Sequence, residues 1–273
     1  MPPVRLLQVS DLHAGTQEEP EVEDDLRTLV AQASPELVIA SGDLTHRNRP
    51  EQHARAAALL RSLGPPLLVV PGNHDIPKWP PWRFTRTFRE FQRIWTETEP
   101  TYRSERLVVC GLNSVRPWRQ QGGALEKSQI ERAERCFAQA PAGALRVAVL
   151  HHQLLGAPWR TAKRTIANRS TVLGGLVDAG AELIVSGHVH QSAVAERREF
   201  EVTSGRVHGA VVVTAPGLGQ PRPKRRGEAR GLHVFEAEPA TLRILTYAWA
   251  RTRWEQIADR RFPRGPEPLA FVD

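Results

Sequence analysis

Six short runs rich in Val, Ile and Leu, each bounded by turn residues, set the main constraint on what this chain can fold into. They are VRLLQVS (4–10), ELVIASG (36–42), LLVVPG (67–72), RLVVCGLN (106–113), LRVAVLHH (145–152) and AELIVSGH (181–188). Such runs are too short for free-standing helices and have the composition of strands buried on both faces. Helix-like segments fall between them, at 20–33, 50–63, 84–95, 128–140 and 170–180. The first has acids in its first turn, and the second begins with Pro50 at a plausible first helical position. Strand alternating with helix predicts an α/β fold, a largely parallel sheet covered by helices. Beyond about residue 190 the pattern changes. The stretches 206–217, 231–238 and 241–249 read as strands with no helix between them, hence an antiparallel addition. The Pro/Arg loop 220–230 is too short for a domain linker, so one domain is expected over 1–273, its motifs within 4–190 and its terminal strands within 206–249.

At 273 residues the chain can bury a sizeable core. With 40% hydrophobic and 25% charged residues, it is not a disordered polymer. The formal charge of +7 favours acidic or phosphorylated partners. Cys110 and Cys136 offer neither a disulfide framework nor a CxxC pair, which suits a reducing compartment. The opening MPPVRLLQVSDLH lacks the apolar region of a secretory signal, and no run approaches a membrane span. A cytoplasmic location without a membrane partner is the expectation.

Chemistry gathers where the runs end. The first is followed by Asp11 and His13, the second by Asp43, and the third by Asn73-His74-Asp75. Later runs close on His151-His152 and on Gly187-His188-Val189-His190. In open α/β sheets ligands bind at the carboxyl ends of strands, so these residues should converge on one rim. Imidazoles, carboxylates and one amide, with no thiolate, suit Mn, Fe, Zn or Mg rather than a structural thiolate zinc site. In extended backbone, residues i and i+2 face one side, so Asp11 with His13, and His188 with His190, can grip neighbouring coordination positions. Gly42, Gly72 and Gly187 allow sharp turns and close backbone approach at those ends.

In order, D-x-H, G-D, G-N-H-D, H and G-H-x-H resemble the calcineurin-like metallophosphoesterase superfamily. LLQVSDLHAG, LVIASGDLT, LLVVPGNHD and LIVSGHVH look most like its bacterial branch of class III cyclic-nucleotide phosphodiesterases. The resemblance implies a four-layer αββα sandwich of mixed sheets and a hydrolase with two metal ions (Mn²⁺, Fe²⁺/Fe³⁺ or Zn²⁺). It implies that Asp11, His13 and His190 hold the first ion and that Asn73, His151 and His188 hold the second, with Asp43 bridging. A hydroxide held between the ions would attack phosphorus. His74 would be the general acid, and Asp75 would orient a ligand or His74, a plain turn cap being the competing role. Gln153 stands where the family commonly has proline, which leaves His151 or His152 as the ligand, His151 being favoured and His152 expected in the pocket wall.

The tripeptide Pro-Trp-Arg occurs three times, at 81–83, 117–119 and 158–160. Trp82, Trp118, Trp159 and Arg160 could form a rim that stacks a base and steers phosphate; covering the core or a dimer contact is the competing role. Phe84, Phe88, Phe91 and Trp95 fall at helical spacing and read as a packed apolar stripe. His46 reads as a surface imidazole, and the basic loop 222–226 as solvated or polyanion-binding. The expected activity is hydrolysis of small nucleotide-type phosphodiesters, cyclic nucleotides foremost. The alternatives are a DNA or RNA nuclease, and a broad phosphomonoesterase or glycerophosphodiesterase. A small phosphodiester is the expected partner, with nucleic acid and a homodimer left open.

Overall fold

The computed structural model describes residues 2–16, 19–119, 121–159, 161–201, 206–219, 227–264 and 267–268. Arg160 and the basic run 222–226 lie outside the described residues. The chain folds into two mixed sheets packed face to face and covered outside by helices, a four-layer α/β/β/α arrangement.

The first sheet contains β1 (Val4–Val9), β2 (Leu37–Ala40), β3 (Leu67–Val69), β10 (Gly231–Ala237), β11 (Thr241–Trp249) and β12 (Trp254–Pro263), in the order β12-β11-β10-β1-β2-β3. Its β1, β2 and β3 are parallel, while β10, β11 and β12 add antiparallel. The second sheet runs β13-β9-β7-β6-β5-β4, from β4 (Thr101–Arg103), β5 (Leu107–Gly111), β6 (Leu145–Val149), β7 (Leu183–Ser186), β9 (Arg206–Thr214) and β13 (Glu267–Pro268), with β8 (Ala193–Glu201) paired to β9. The helices are α1 (Pro20–Ala33), α2 (Pro50–Ser62), α3 (Trp82–Thr85), α4 (Arg89–Trp95), α5 (Lys127–Ala138) and α6 (Arg169–Asp178). None of the described helices is long and apolar enough to cross a membrane.

Alternation along the strands builds three cores. In β1, Leu6 points between the sheets, where it joins Ile39, Val147 and Val185. Its neighbour Leu7 points outward against Leu26 of α1 and Leu60 of α2. On the far side, Val108, Ala148 and Ile184 meet Phe137 of α5 and Leu176 of α6. Because successive side chains face opposite layers, both must be apolar, which is why these strands read as unbroken hydrophobic runs.

The structure corrects three expectations. First, the stretch 206–217 does not only add antiparallel, because β9 runs parallel to β7 and antiparallel to β8. Second, the helix expected over 84–95 is broken into α3 and α4. The break follows from Arg83, which is buried and donates to the carbonyls of Pro77, Pro117 and Arg119, fixing the turn locally. Third, the Phe stripe is not continuous: Phe91 is fully buried, whereas Phe84 is 56% exposed.

Candidate metal centre

Three parallel strands of one sheet and two of the other deliver their carboxyl ends to one rim. The two sheets are tied there by buried polar bonds. Gln8 Nε2 donates to Ser41 Oγ in its own sheet and to the Ser186 carbonyl in the other, each at 2.9 Å. Backbone bonds from Asp11 to Gly42, from His13 to Asp43 and from Gly187 to His151 hold adjacent strand ends in register.

At this rim Asp11, His13 and His190 form one cluster, and Asp43, His151 and His188 a second, with ligand atoms inside each within 4.8 Å of one another. Asp43 faces both. Its Oδ2 lies 3.9 Å from His13 Nε2, and its Oδ1 lies 3.3 Å from His151 Nε2. His13 Nε2 and His190 Nε2 are 3.1 Å apart, as are, nearly, His188 Nδ1 and His151 Nε2 at 3.2 Å. Asn73 precedes His74, whose amide donates to Asp43 Oδ1 and so ties this loop to the second cluster. The oxygens Asp11 Oδ1, Asp43 Oδ2 and Asn73 Oδ1 are buried without a hydrogen-bond partner. Asp11 Oδ1 is 3.0 Å from His190 Nε2 yet lacks an aligned donor. Buried oxygens left unpaired beside opposed imidazole nitrogens are costly unless a cation lies among them. The donor set therefore fits two cations with oxygen and nitrogen ligands.

Protein charges alone prepare the set. Burial would raise the carboxyl of Asp11, but His190 overrides it and holds it below the ordinary range. Burial likewise opposes ionisation of Asp43, and His151 foremost reverses this. His13 is pushed down to about 3, chiefly by burial. His188 is held well below the histidine range by burial and by the nearby charge of Lys163. These two imidazoles stay neutral, with lone pairs to offer. His151 is the exception: burial would lower it, but Asp43 raises it to about 9. Its Nδ1 faces the Ser41 carbonyl at 2.8 Å. A carbonyl only accepts, so Nδ1 carries the proton and Nε2 is turned towards Asp43 and His188.

Backbone geometry is unusual at the same positions. Asp11, His13, Asp43, His188 and His190 have φ of 52°, 48°, 52°, 75° and 59°, all in the left-handed region that side-chain-bearing residues seldom occupy. Gly187 lets β7 pass close to β1, since a Cβ there would overlap Ser10 Oγ and come 2.6 Å from Asp11 Oδ2.

The remaining residues separate. His74 lies over the first cluster, its ring 4.8 Å from that of His13, with Nδ1 2.9 Å from the His46 carbonyl. Asp75, expected to orient a ligand or His74, instead accepts from the amides of Gly72, Leu44 and Thr45 and from the Thr45 hydroxyl. The carboxylate touches backbone amides and the Thr45 hydroxyl, and among the described residues neither the His74 ring nor a ligand side chain. Its contacts are those of the competing cap role and tie the loop of Asp43 to that of Asn73. His152 is buried behind the second cluster, its Nδ1 2.8 Å from Ser114 Oγ, and belongs to neither cluster. Trp82 borders a cleft beside His74. Trp159 borders a separate cavity of about 170 Å³ with Gln191, Pro216 and Tyr247, and Trp118 is exposed and borders neither. Among the described residues Trp82 and Trp159 thus line different cavities, and the Arg83 guanidinium donates to carbonyls.

Two residues near the chemistry were undervalued from sequence. His46 groups with His13 and His74; the available signal was its place three residues after Asp43 on the same strand end. Lys163 Nζ donates to the carbonyl of His188, and nothing local in its sequence marks it.

Residues 4–192 match the family described as calcineurin-like phosphoesterase. Over 177 residues the chain is 27% identical to a probable cyclic nucleotide phosphodiesterase of Synechococcus sp., covering 61% of this chain and 62% of that protein. The chain therefore spans less than two thirds of the length of that relative. A 41-residue stretch is 46% identical to the glycerophosphodiester phosphodiesterase GpdQ of Enterobacter lignolyticus, 15% of each chain. Purple acid phosphatase PPD1 from yellow lupin superposes with a TM-score of 0.70 at 13% identity, over 96% of this chain and 54% of that one. A dimetal phosphatase from Danio rerio gives 0.60 at 15% identity, over 94% and 99%. At these identities the two structures share the fold alone with this chain.

Proposed function

The chain belongs to the calcineurin-like phosphoesterase family, and from that premise we propose that it is a phosphodiesterase of nucleotide-type diesters, cyclic nucleotides being the first candidates, working with two divalent or transition-metal cations. What supports the reading is Asp43, whose two oxygens face two separate clusters of imidazole and carboxylate. Asp11, His13 and His190 would hold one cation, Asn73, His151 and His188 the other, and Asp43 both. Mn²⁺, iron and Zn²⁺ all suit these donors. When bound, such a pair supplies Lewis acidity, acidifying a water and drawing charge from the phosphoryl oxygens.

Hydrolysis of a diester forms one P–O bond from water and breaks the bond to the leaving alkoxide, which must gain a proton. In this reading, supported by a distance of 4.8 Å between the rings of His13 and His74, it is His74 that gives it. Its Nδ1–H is engaged by the His46 carbonyl, so Nε2 is the atom left to face substrate. In the doubly protonated ring, Nε2–H passes to the leaving oxygen while Nδ1–H stays where it is, and the ring keeps its orientation. Asp75 keeps the His74 loop against the Asp43 loop, and the Asp43 Oδ1 acceptor fixes the His74 amide at 2.8 Å. The cyanobacterial relative's name favours cyclic nucleotides as substrates.

The test is hydrolysis of bis(p-nitrophenyl) phosphate by protein loaded with Mn²⁺, Fe²⁺ or Zn²⁺. His74→Ala should keep two equivalents of metal and lose about 10²- to 10⁴-fold in kcat. Undiminished turnover removes His74 from the mechanism, and a wild-type protein inert with all three metals removes the enzyme reading.

A further inference from the structure

Beside the metal clusters lies a cleft of about 900 Å³ whose floor includes Asn73, His74 and His46. Cavities that bury a drug-sized molecule run from about 300 to 1,000 Å³, so this one is at the large end. Its walls are not those of an ordinary apolar pocket. Arg47, Arg49, Lys78, Trp79, Trp82 and Arg86 are among the residues that line it. Both tryptophans turn broad faces to solvent, Trp79 being 63% exposed and Trp82 51%. Each carries a cation: Lys78 Nζ is 4.9 Å from the Trp79 ring centre, and Arg86 Cζ is 4.4 Å from that of Trp82. Among the described residues, Arg47, Lys78 and Arg86 have no ion-pair partner.

Flat aromatic faces beside cations, in an open groove, are the combination by which proteins hold single-stranded nucleic acid. Bases stack on the rings, and phosphates follow the cations. We propose that this cleft binds the nucleotides flanking the scissile phosphate, and that the substrate is a short single-stranded oligonucleotide rather than a lone cyclic mononucleotide. The inference rests on the diesterase reading above but departs from its first candidates, placing an oligonucleotide ahead of cyclic nucleotides as substrate. The two tryptophans are the stacking positions. Arg47, Arg49, Lys78 and Arg86 take the phosphates on either side of the one that meets His74.

Two measurements separate this from the parent reading. In the first, kcat/KM is determined for tetradeoxyadenylate, cyclic AMP and bis(p-nitrophenyl) phosphate. The tetranucleotide should be preferred over cyclic AMP. In Trp79→Ala/Trp82→Ala, the ratio of its kcat/KM to that of bis(p-nitrophenyl) phosphate should fall at least about tenfold. Phe84→Ala, comparable in exposure to Trp82 and on the same short helix but outside the cleft, should leave that ratio in place. In the second, fluorescein-labelled tetradeoxyadenylate is bound to the slowed His74→Ala protein, stripped of metal by chelator, and followed by anisotropy. The logarithm of affinity should fall with the logarithm of salt, with a slope of about −0.7 per contacted phosphate. Arg47→Gln/Arg49→Gln should flatten it. An unchanged ratio in the double tryptophan variant, a preference for cyclic AMP, or binding indifferent to salt overturns the proposal. Inactivity on bis(p-nitrophenyl) phosphate would sink the enzyme reading instead, while the binding arm still decides on the cleft.

Discussion

Protonation of His151 ties metal affinity to pH. Asp43 keeps this imidazole charged up to about pH 9, although burial works the other way. A cation that ligates Nε2 must displace that proton, whereas Asp11, Asp43, His13 and His188 are already deprotonated. Apparent Mn²⁺ affinity should therefore rise about tenfold per unit from pH 7 to pH 9 and then level. Competition with a chelator of known pH dependence measures it, and a flat profile contradicts the assignment. The sign for stability is opposite in chelator-treated protein. A pKa raised on folding stabilises below about pH 6.5, the unfolded value, and that contribution is lost as pH climbs through 9. Asp75 makes a different prediction. Its carboxylate satisfies four donors, and an Asn there would turn an NH₂ towards some of them. Asp75→Asn should cost about 1–3 kcal/mol in urea denaturation and weaken Mn²⁺ binding. Stability equal to wild type would contradict the locking role. The sequence showed Asp75 beside Asn73 and His74 but not most of what it touches, because three of its four donors belong to Leu44 and Thr45, some thirty residues earlier.

Glycines between elements set how near the strand ends approach. In Gly187→Ala the new methyl meets Ser10 and Asp11, so β7 and β1 must part. Metal stoichiometry should drop while far-ultraviolet circular dichroism stays close to wild type, and two tightly bound ions in this variant would refute the packing account. The parallel strands were plain in the sequence because both faces of each are buried. The strands β8 (AVAERREFE) and β12 (WEQIADRRFP) were not, since their charges break the apolar run. The break between α3 and α4 was hidden for another reason: Phe spacing continues through it, and the cause is a long-range bond network made by the single side chain of Arg83.

Across the molecule, the candidate ligands come from five strand ends in two sheets, so cations held by them would clamp the sandwich at its rim. A ligand at a thousand times its dissociation constant adds about 4 kcal/mol to the folded state. With roughly 2–4 °C per kcal/mol in a domain of this size, Mn²⁺ should raise Tm by on the order of 10 °C over chelator-treated protein. Scanning calorimetry would show it, and coincident transitions would count against a shared inter-sheet site. The α/β alternation was readable from periodicity. The placement of β10 against β1 was not, because such pairing spans most of the chain and leaves no local mark. The left-handed backbone at Asp11, His13, Asp43, His188 and His190 has a wider meaning, at about 1–2 kcal/mol for each such residue. Reactivity and robustness are set against each other at the same five places. Exchanging those residues for asparagine or glycine would relax the backbone and remove the donor set together, so a harder scaffold and an intact rim are alternatives at these positions.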